Sequence, residues 1–176
     1  MRTALYLFAA QGILGAFDTL YYHEWRARLS GGGDTTREEL TLHGIRALVY
    51  SVLFGSLPYV RYEGALAWGL AVMILGEIVI TLRDFVVEDT ARRPLGGVYA
   101  GERVTHAIMG IIYGAALAHL APEIIEATAR PTAFVAWSPP PLLRLALSAM
   151  SLGVFVSGAR DLAAAWGPKW CRYPWG

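Results

Sequence analysis

Residues 39–50, ELTLHGIRALVY, and residues 102–113, ERVTHAIMGIIY, repeat one another at their polar positions. Glu39 aligns with Glu102, His43 with His106, Ile45 with Ile108 and Tyr50 with Tyr113. Both stretches are apolar enough to sit in a membrane. In a helix the Glu-x-x-x-His spacing puts acid and imidazole on one face, with the tyrosine seven residues further along it, about 10 Å deeper at 1.5 Å per residue.

The match extends upstream. QGILGAFDTLYYHEWR, residues 11–26, aligns with EIVITLRDFVVEDTAR, residues 77–92, when Asp18 is set against Asp84. Gln11 then meets Glu77, Tyr22 meets Glu88 and Arg26 meets Arg92. The interval from aspartate to glutamate differs by three residues between the copies, and the difference falls in the loop. The pattern predicts a duplicated two-helix unit, the copies packed about a pseudo-two-fold axis along the membrane normal.

Composition agrees with a membrane setting. Of 176 residues 55% are hydrophobic and only 16% charged, with mean hydropathy +0.41; soluble domains carry roughly a quarter charged residues. A net charge of +1 and no basic stripe argue against nucleic acid as a partner. The one cysteine, Cys171, makes no internal disulfide and fits no zinc or haem-attachment spacing.

The expected fold is an all-α integral membrane protein, a single membrane domain over 1–176. Five transmembrane helices are placed near 3–25, 39–61, 64–87, 103–125 and 142–166, since a span takes about 20 apolar residues. Repeat unit one covers about 3–61 and unit two about 64–125. These supply a bundle of helices 1–4, and the extra helix, 142–166, stands outside the duplication. The repeat needs the first segment, so it is expected to stay in the mature protein rather than be cleaved as a signal. Arg26, Arg28, Arg37, Arg83, Arg92, Arg93, Arg103, Arg160, Lys169 and Arg172 gather on one side against Arg2, Arg61, Arg130 and Arg144 on the other. The positive-inside rule then puts the N-terminus outside and the C-terminus in the cytoplasm, in a multi-pass protein of the cell membrane. Trp137, Trp166, Trp170 and Trp175 read as interfacial residues. Gly110-x-x-x-Gly114 allows close helix approach, within the bundle or between the copies of a homodimer.

Four helices deliver acids and imidazoles to the cytoplasmic level: Asp18 from the first, Glu39 and His43 from the second, Asp84 from the third, Glu102 and His106 from the fourth. Each charge in hydrocarbon costs roughly 2.5–3.5 kcal/mol even on the gentler insertion scale, so the four carboxylates require a compensating charge. Arg46 and Arg83 are nearby. Two divalent cations would also cancel the four negative charges, with the two imidazoles as neutral ligands. Carboxylates with a minority of imidazole suit iron or manganese, and zinc less distinctively. This metal set is weighed against acids that merely cap their own helices beside interfacial histidines, which leaves Asp18 and Asp84 unexplained.

One carboxylate from each of two helices, and a Glu/His pair from each of two others, resembles the ferritin-like di-iron and di-manganese carboxylate bundles. The resemblance covers roughly residues 11–113. It departs in its Glu-x-x-x-His spacing, where that group has Glu-x-x-His, and in having Asp at both lone positions. It implies two divalent ions, iron preferred, and an oxidoreductase whose substrate is a small or lipid-like molecule, reached from the bilayer or the cytoplasm. Glu88, Glu77 and Tyr50 are the residues placed to relay protons there.

Rival readings attach to the same residues. Glu88 is either a further ligand or a surface acid paired with Arg92 one turn on. Glu77 is a proton carrier or a hydrogen-bond partner of Gln11, and Tyr50 and Tyr113 are core packing or hydroxyl partners of a ligand. His23 lies off the Asp18 face of a regular helix and reads as an interfacial anchor. His119, near the outer end, is unrelated, and Asp161 pairs with Arg160. At the level of function, the rivals are a divalent-metal or metal/proton transporter, a bis-histidine haem subunit using His43 and His106, and a metal-free structural subunit.

Overall fold

The computed structural model describes residues 1–168 and 171. Lys169, Trp170, Arg172 and Trp175, which entered the charge and belt arguments, lie outside the described residues.

The architecture is helical. α1 (Arg2–Phe17) runs directly into a π-helical segment (Asp18–Arg26), so one rod covers the first predicted span. α2 (Arg37–Ser56), α3 (Ala65–Ala91), α4 (Ala100–Thr128) and α5 (Pro141–Trp166) follow. The proline run before α5 ends the preceding loop, and Pro141 opens the helix where a missing N–H costs nothing. The link after α2 contains β1 (Val60–Glu63), which pairs antiparallel with β2 (Ala133–Ala136) in the loop before α5. The sequence reading made these two stretches plain connections. Paired, they satisfy each other's backbone groups and tie two loops together at one end of the bundle.

Four helices are long and apolar enough to cross a bilayer: Arg2–Arg26, Ala65–Ala91, Ala100–Thr128 and Pro141–Trp166. α2 falls outside that set, because its 20 residues include Arg37, Glu38, Glu39, His43 and Arg46. Large apolar side chains such as Ile13, Val72, Val79, Ile111 and Leu145 stand exposed along the four, as lipid-facing surfaces require.

The helices pack as a ring. α1 rests on α4 and α5, α2 on α5 and α3, and α3 on α4. α5 therefore sits between α1 and α2, where a strict two-fold arrangement of helices 1–4 would have brought those two together. The closest crossing is α2 on α5. A side chain on Gly158 would meet the Ala47 Cβ at 2.8 Å and the Gly44 carbonyl at 2.9 Å, so glycine is required there.

The interior divides along its length. Toward the paired strands, Leu5, Phe8, Leu53, Leu70, Leu120 and Leu147 build the apolar core. At the opposite end a smaller cluster of Ala27, Leu29, Leu40, Ala164 and Ala165 forms a cap beneath the 27–40 connection. The polar residues singled out above lie between core and cap.

Candidate metal centre

The end of α1, the start of α2, the end of α3 and the start of α4 meet at one end of the ring. Asp18, Glu39, His43, Asp84, Glu88 and Glu102 are all buried there, Glu39 and Glu102 completely. His106 is 11% exposed.

Asp18, His23, Glu102 and His106 each offer a ligand atom, and these four atoms lie within 4.8 Å of one another. His106 Nε2 is 3.0 Å from Asp18 Oδ2. His23 Nε2 is 3.3 Å from Asp18 Oδ2 and 3.3 Å from Glu102 Oε1. Donors bound at about 2.1 Å to one ion stand about 3.0–3.4 Å apart along octahedral or tetrahedral edges. The spacing therefore fits a shared cation. His23 Nε2 is aligned for a hydrogen bond with neither acid, and Asp18 Oδ1 has no partner among the described residues. Orphaned buried polar atoms of this kind call for a proton or an ion.

His23 was assigned to the wrong face. A regular helix turns it away from Asp18, but in the π-helical segment i and i+5 residues stack, and Asp18 and His23 are five apart. The available signal was that interval between two polar residues in an otherwise aromatic run. In the stretch aligned with it, α3 stays α-helical, and the residue five beyond Asp84 is the exposed Asp89.

His43 and Asp84 form the neighbouring half of the cluster. Their Nε2 and Oδ2 are 3.1 Å apart, and Arg46 Nη1 donates to the same oxygen at 3.1 Å. The halves touch through the imidazoles: His23 stacks on His43 with ring centroids 4.6 Å apart and planes 10° apart. The Glu88 carboxylate faces the far nitrogen of His106, Oε2 to Nδ1 at 3.6 Å. That is the place from which a carboxylate orients a ligating histidine.

Arg92 is the residue whose role the sequence hid. It was matched with Glu88 as a surface pair, yet its side chain is fully buried. Its Nε donates to Glu39 Oε1 at 2.7 Å and its Nη2 to Glu102 Oε1 at 3.0 Å. Glu39 and Glu102 thus share one guanidinium, and Glu39 stands outside the four-atom group. The helix-capping role is real for Glu102 alone: its Oε2 accepts from the Tyr99 backbone N–H at 3.3 Å and closes the start of α4. Arg160 pairs with Glu24 rather than Asp161; Asp161 is buried and lines the adjoining cavity.

Glu77 and Tyr50 stand apart from this cluster. They line the deep end of a cavity of about 410 Å³ whose near wall includes His23, His43 and His106. Thr81 donates to Glu77 Oε1 at 2.7 Å, and Tyr50 packs against Tyr113 with ring centroids 6.1 Å apart. Gly110 and Gly114 meet nothing within 4 Å, so that pair is not used inside the bundle.

Six carboxyls are buried at this level, Asp18, Glu39, Asp84, Glu88, Glu102 and Asp161, and guanidiniums reach three of them, Arg92 at Glu39 and Glu102 and Arg46 at Asp84. Negative charge is in excess unless the histidines are protonated or a cation is bound. No family model, curated protein or solved structure matches the chain, and the ferritin-like resemblance rests on the residue pattern alone.

Proposed function

We propose that the protein is a membrane-embedded metalloprotein, an oxidoreductase whose centre takes divalent ions, iron preferred and manganese or zinc as alternatives. The convergence of Asp18, His23, Glu102 and His106 within 4.8 Å is the observation that carries this reading. These four hold the tighter position. His43 and Asp84 offer the second of the expected pair, and a guanidinium competes at each position, Arg92 for Glu102 and Arg46 for Asp84. Bound iron or manganese supplies one-electron chemistry that no side chain here provides. The chain's own residues fix the donors, set the Glu88 carboxylate beside His106 Nδ1, and exclude water with the Leu29 and Leu40 cap.

In the same reading α2 also crosses the bilayer, its polar residues sheltered by α3 and α5. The two halves derive from a duplication, and the metal end faces the cytoplasm in the cell membrane. Arg92 drops out of the orientation count as a surface charge, but the remaining arginines keep the same bias.

Metal analysis of protein purified without chelator tests the core of this. About two ions per chain are expected, with His23→Ala and His106→Ala removing the tighter one. Metal-free protein of native helicity would leave a network of carboxylates held by Arg92 and Arg46, the structural-subunit alternative that the Arg92 bridge favours.

A further inference from the structure

Beyond the ion cluster, the cavity has a second polar pole. Gln11 on α1, Tyr50 on α2, Glu77 on α3 and Tyr113 on α4 line its deep end. Each stands seven residues deeper than Asp18, His43, Asp84 or His106 on the same helix, about 10 Å at 1.5 Å per residue. Gln11 is 6% exposed and Glu77 1% exposed. Gln11 Oε1, Glu77 Oε2 and the Tyr113 hydroxyl have no hydrogen-bond partner among the described residues. The Tyr50 hydroxyl lies beside Gln11 and Glu77 and the Tyr113 hydroxyl beside Glu77 and Tyr50; the pole is thus polar on every side, and Gln11 Oε1 and Glu77 Oε2 stay open to a further donor.

The rest of the cavity is apolar and shaped by small residues. Gly12, Gly15, Ala47 and Gly153 keep it open, and Phe54, Met109 and Val154 wall it. Ala16, Leu20 and Gly153 line it and are also exposed on the outer face, so it reaches the lipid-facing side of the ring where α1 meets α5. About 410 Å³ lies within the roughly 300–1,000 Å³ range of small-molecule sites.

We propose that this cavity binds an amphiphilic alcohol or phenol drawn from the bilayer, its hydroxyl donating its one hydrogen to the Gln11–Glu77 acceptor pair and accepting from the Tyr113 hydroxyl, and its apolar body lying toward the three histidines. A hydroxyl both donates to a carboxamide or carboxylate oxygen and accepts from a phenol, as a water does, and the apolar lining calls for a ligand that carries that group on an apolar body. A ketone or ether brings no donor and leaves Gln11 and Glu77 unpaired. The inference names the substrate class for the oxidoreductase reading and rests on that reading only for what happens afterwards. The hydroxyl is anchored about two helical turns, roughly 10 Å, from the ion cluster, so the atoms presented to that cluster belong to the other end of the molecule.

The test uses 4-hexylphenol and hexylbenzene, which differ only in the hydroxyl. Calorimetric titration into the full chain in nanodiscs, with empty nanodiscs as reference, should give a saturable single site for the phenol. Hexylbenzene should bind at least about tenfold more weakly, since sites built to pair a hydroxyl reject analogues lacking it. Gln11→Leu and Tyr113→Phe should each narrow that ratio. Equal binding of the two probes by the native chain would overturn the proposal, as would an unchanged ratio in both variants. The measurement does not need metal. Phenol selectivity in protein that carries no metal when purified without chelator would sink the metal reading and keep this one, and metal without selectivity would do the reverse.

Discussion

Asp18 Oδ2 and His23 Nε2 lie 3.3 Å apart although the residues are five apart on one helix. Only the π-helical geometry of Asp18–Arg26 brings them together. Such segments are uncommon and recur at functional sites. Here the distortion recruits an imidazole that also touches Glu102 and stacks on His43, so one residue joins both halves of the cluster.

That dependence is testable by register. Inserting one alanine after Leu20, an exposed residue within the segment, lengthens the Asp18–His23 interval to six, which neither an α-helical nor a π-helical turn places on one face. His23 then moves off the Asp18 face, and metal retention should fall as far as in His23→Ala. Circular dichroism should show helicity preserved. Full metal content in the insertion variant would mean that His23 is not a ligand.

A second expectation concerns Arg92, bound at once by Glu39 and Glu102. Removing one partner from a buried ion pair costs about 3–5 kcal/mol because the other charges stay buried and unpaired. Arg92→Met should therefore lower unfolding stability in detergent by about that amount in chelator-treated protein. Adding Glu39→Gln to Arg92→Met should recover part of the loss. Arg92→Lys should not replace it, since a point ammonium cannot span two carboxylates as the planar fork does. Wild-type stability in Arg92→Met would mean that the glutamates are protonated and need no counter-charge.

The helices and the level of the polar residues were legible in the sequence because hydropathy and helical spacing encode both. The α1 rod, α3, α4 and α5 begin and end within a few residues of the expected spans, and Asp18, Glu39, His43, Asp84, Glu102 and His106 do meet at one end. The pairing among them was not legible. His23 depended on a π-helix, a departure from the 3.6-residue period that placed it elsewhere. Arg92 depended on the turn Arg93–Leu95 directing a terminal side chain inward. β1 and β2 pair across 69 or more intervening residues, and their residues read as ordinary loop. The position of α5 between α1 and α2 is a packing outcome that the repeat alone could not announce.

Orientation is checked by thiol labelling in a Cys171→Ser background. Thr35 lies exposed in the connection at the end where the acids and imidazoles gather, the proposed metal end, and Pro131 lies exposed near the paired strands. With the N-terminus outside, Thr35→Cys should react with an impermeant maleimide only in inside-out vesicles, and Pro131→Cys only in right-side-out ones. The opposite pattern would place the metal end outside the cell.

The tight α2–α5 crossing yields a graded prediction. At Gly158 an added Cβ meets the Ala47 Cβ at 2.8 Å and the Gly44 carbonyl at 2.9 Å. The carbonyl is backbone and cannot swing aside, so the helices must separate. At Gly44 the closest atom is Leu162 Cγ at 2.5 Å, part of a side chain that can rotate, with the Gly158 carbonyl at 3.0 Å. Overpacking costs about 1–3 kcal/mol. Gly158→Ala should fall toward the upper end of that range and Gly44→Ala toward the lower. Gly110→Ala, where nothing lies within 4 Å, should be neutral or slightly stabilising through helix propensity. Unfolding in detergent reads all three. Because α2 carries His43 and α5 carries Asp161, Gly158→Ala should also weaken metal retention although it touches no ligand; an equal loss from Gly110→Ala would show that the effect is not transmitted through this crossing.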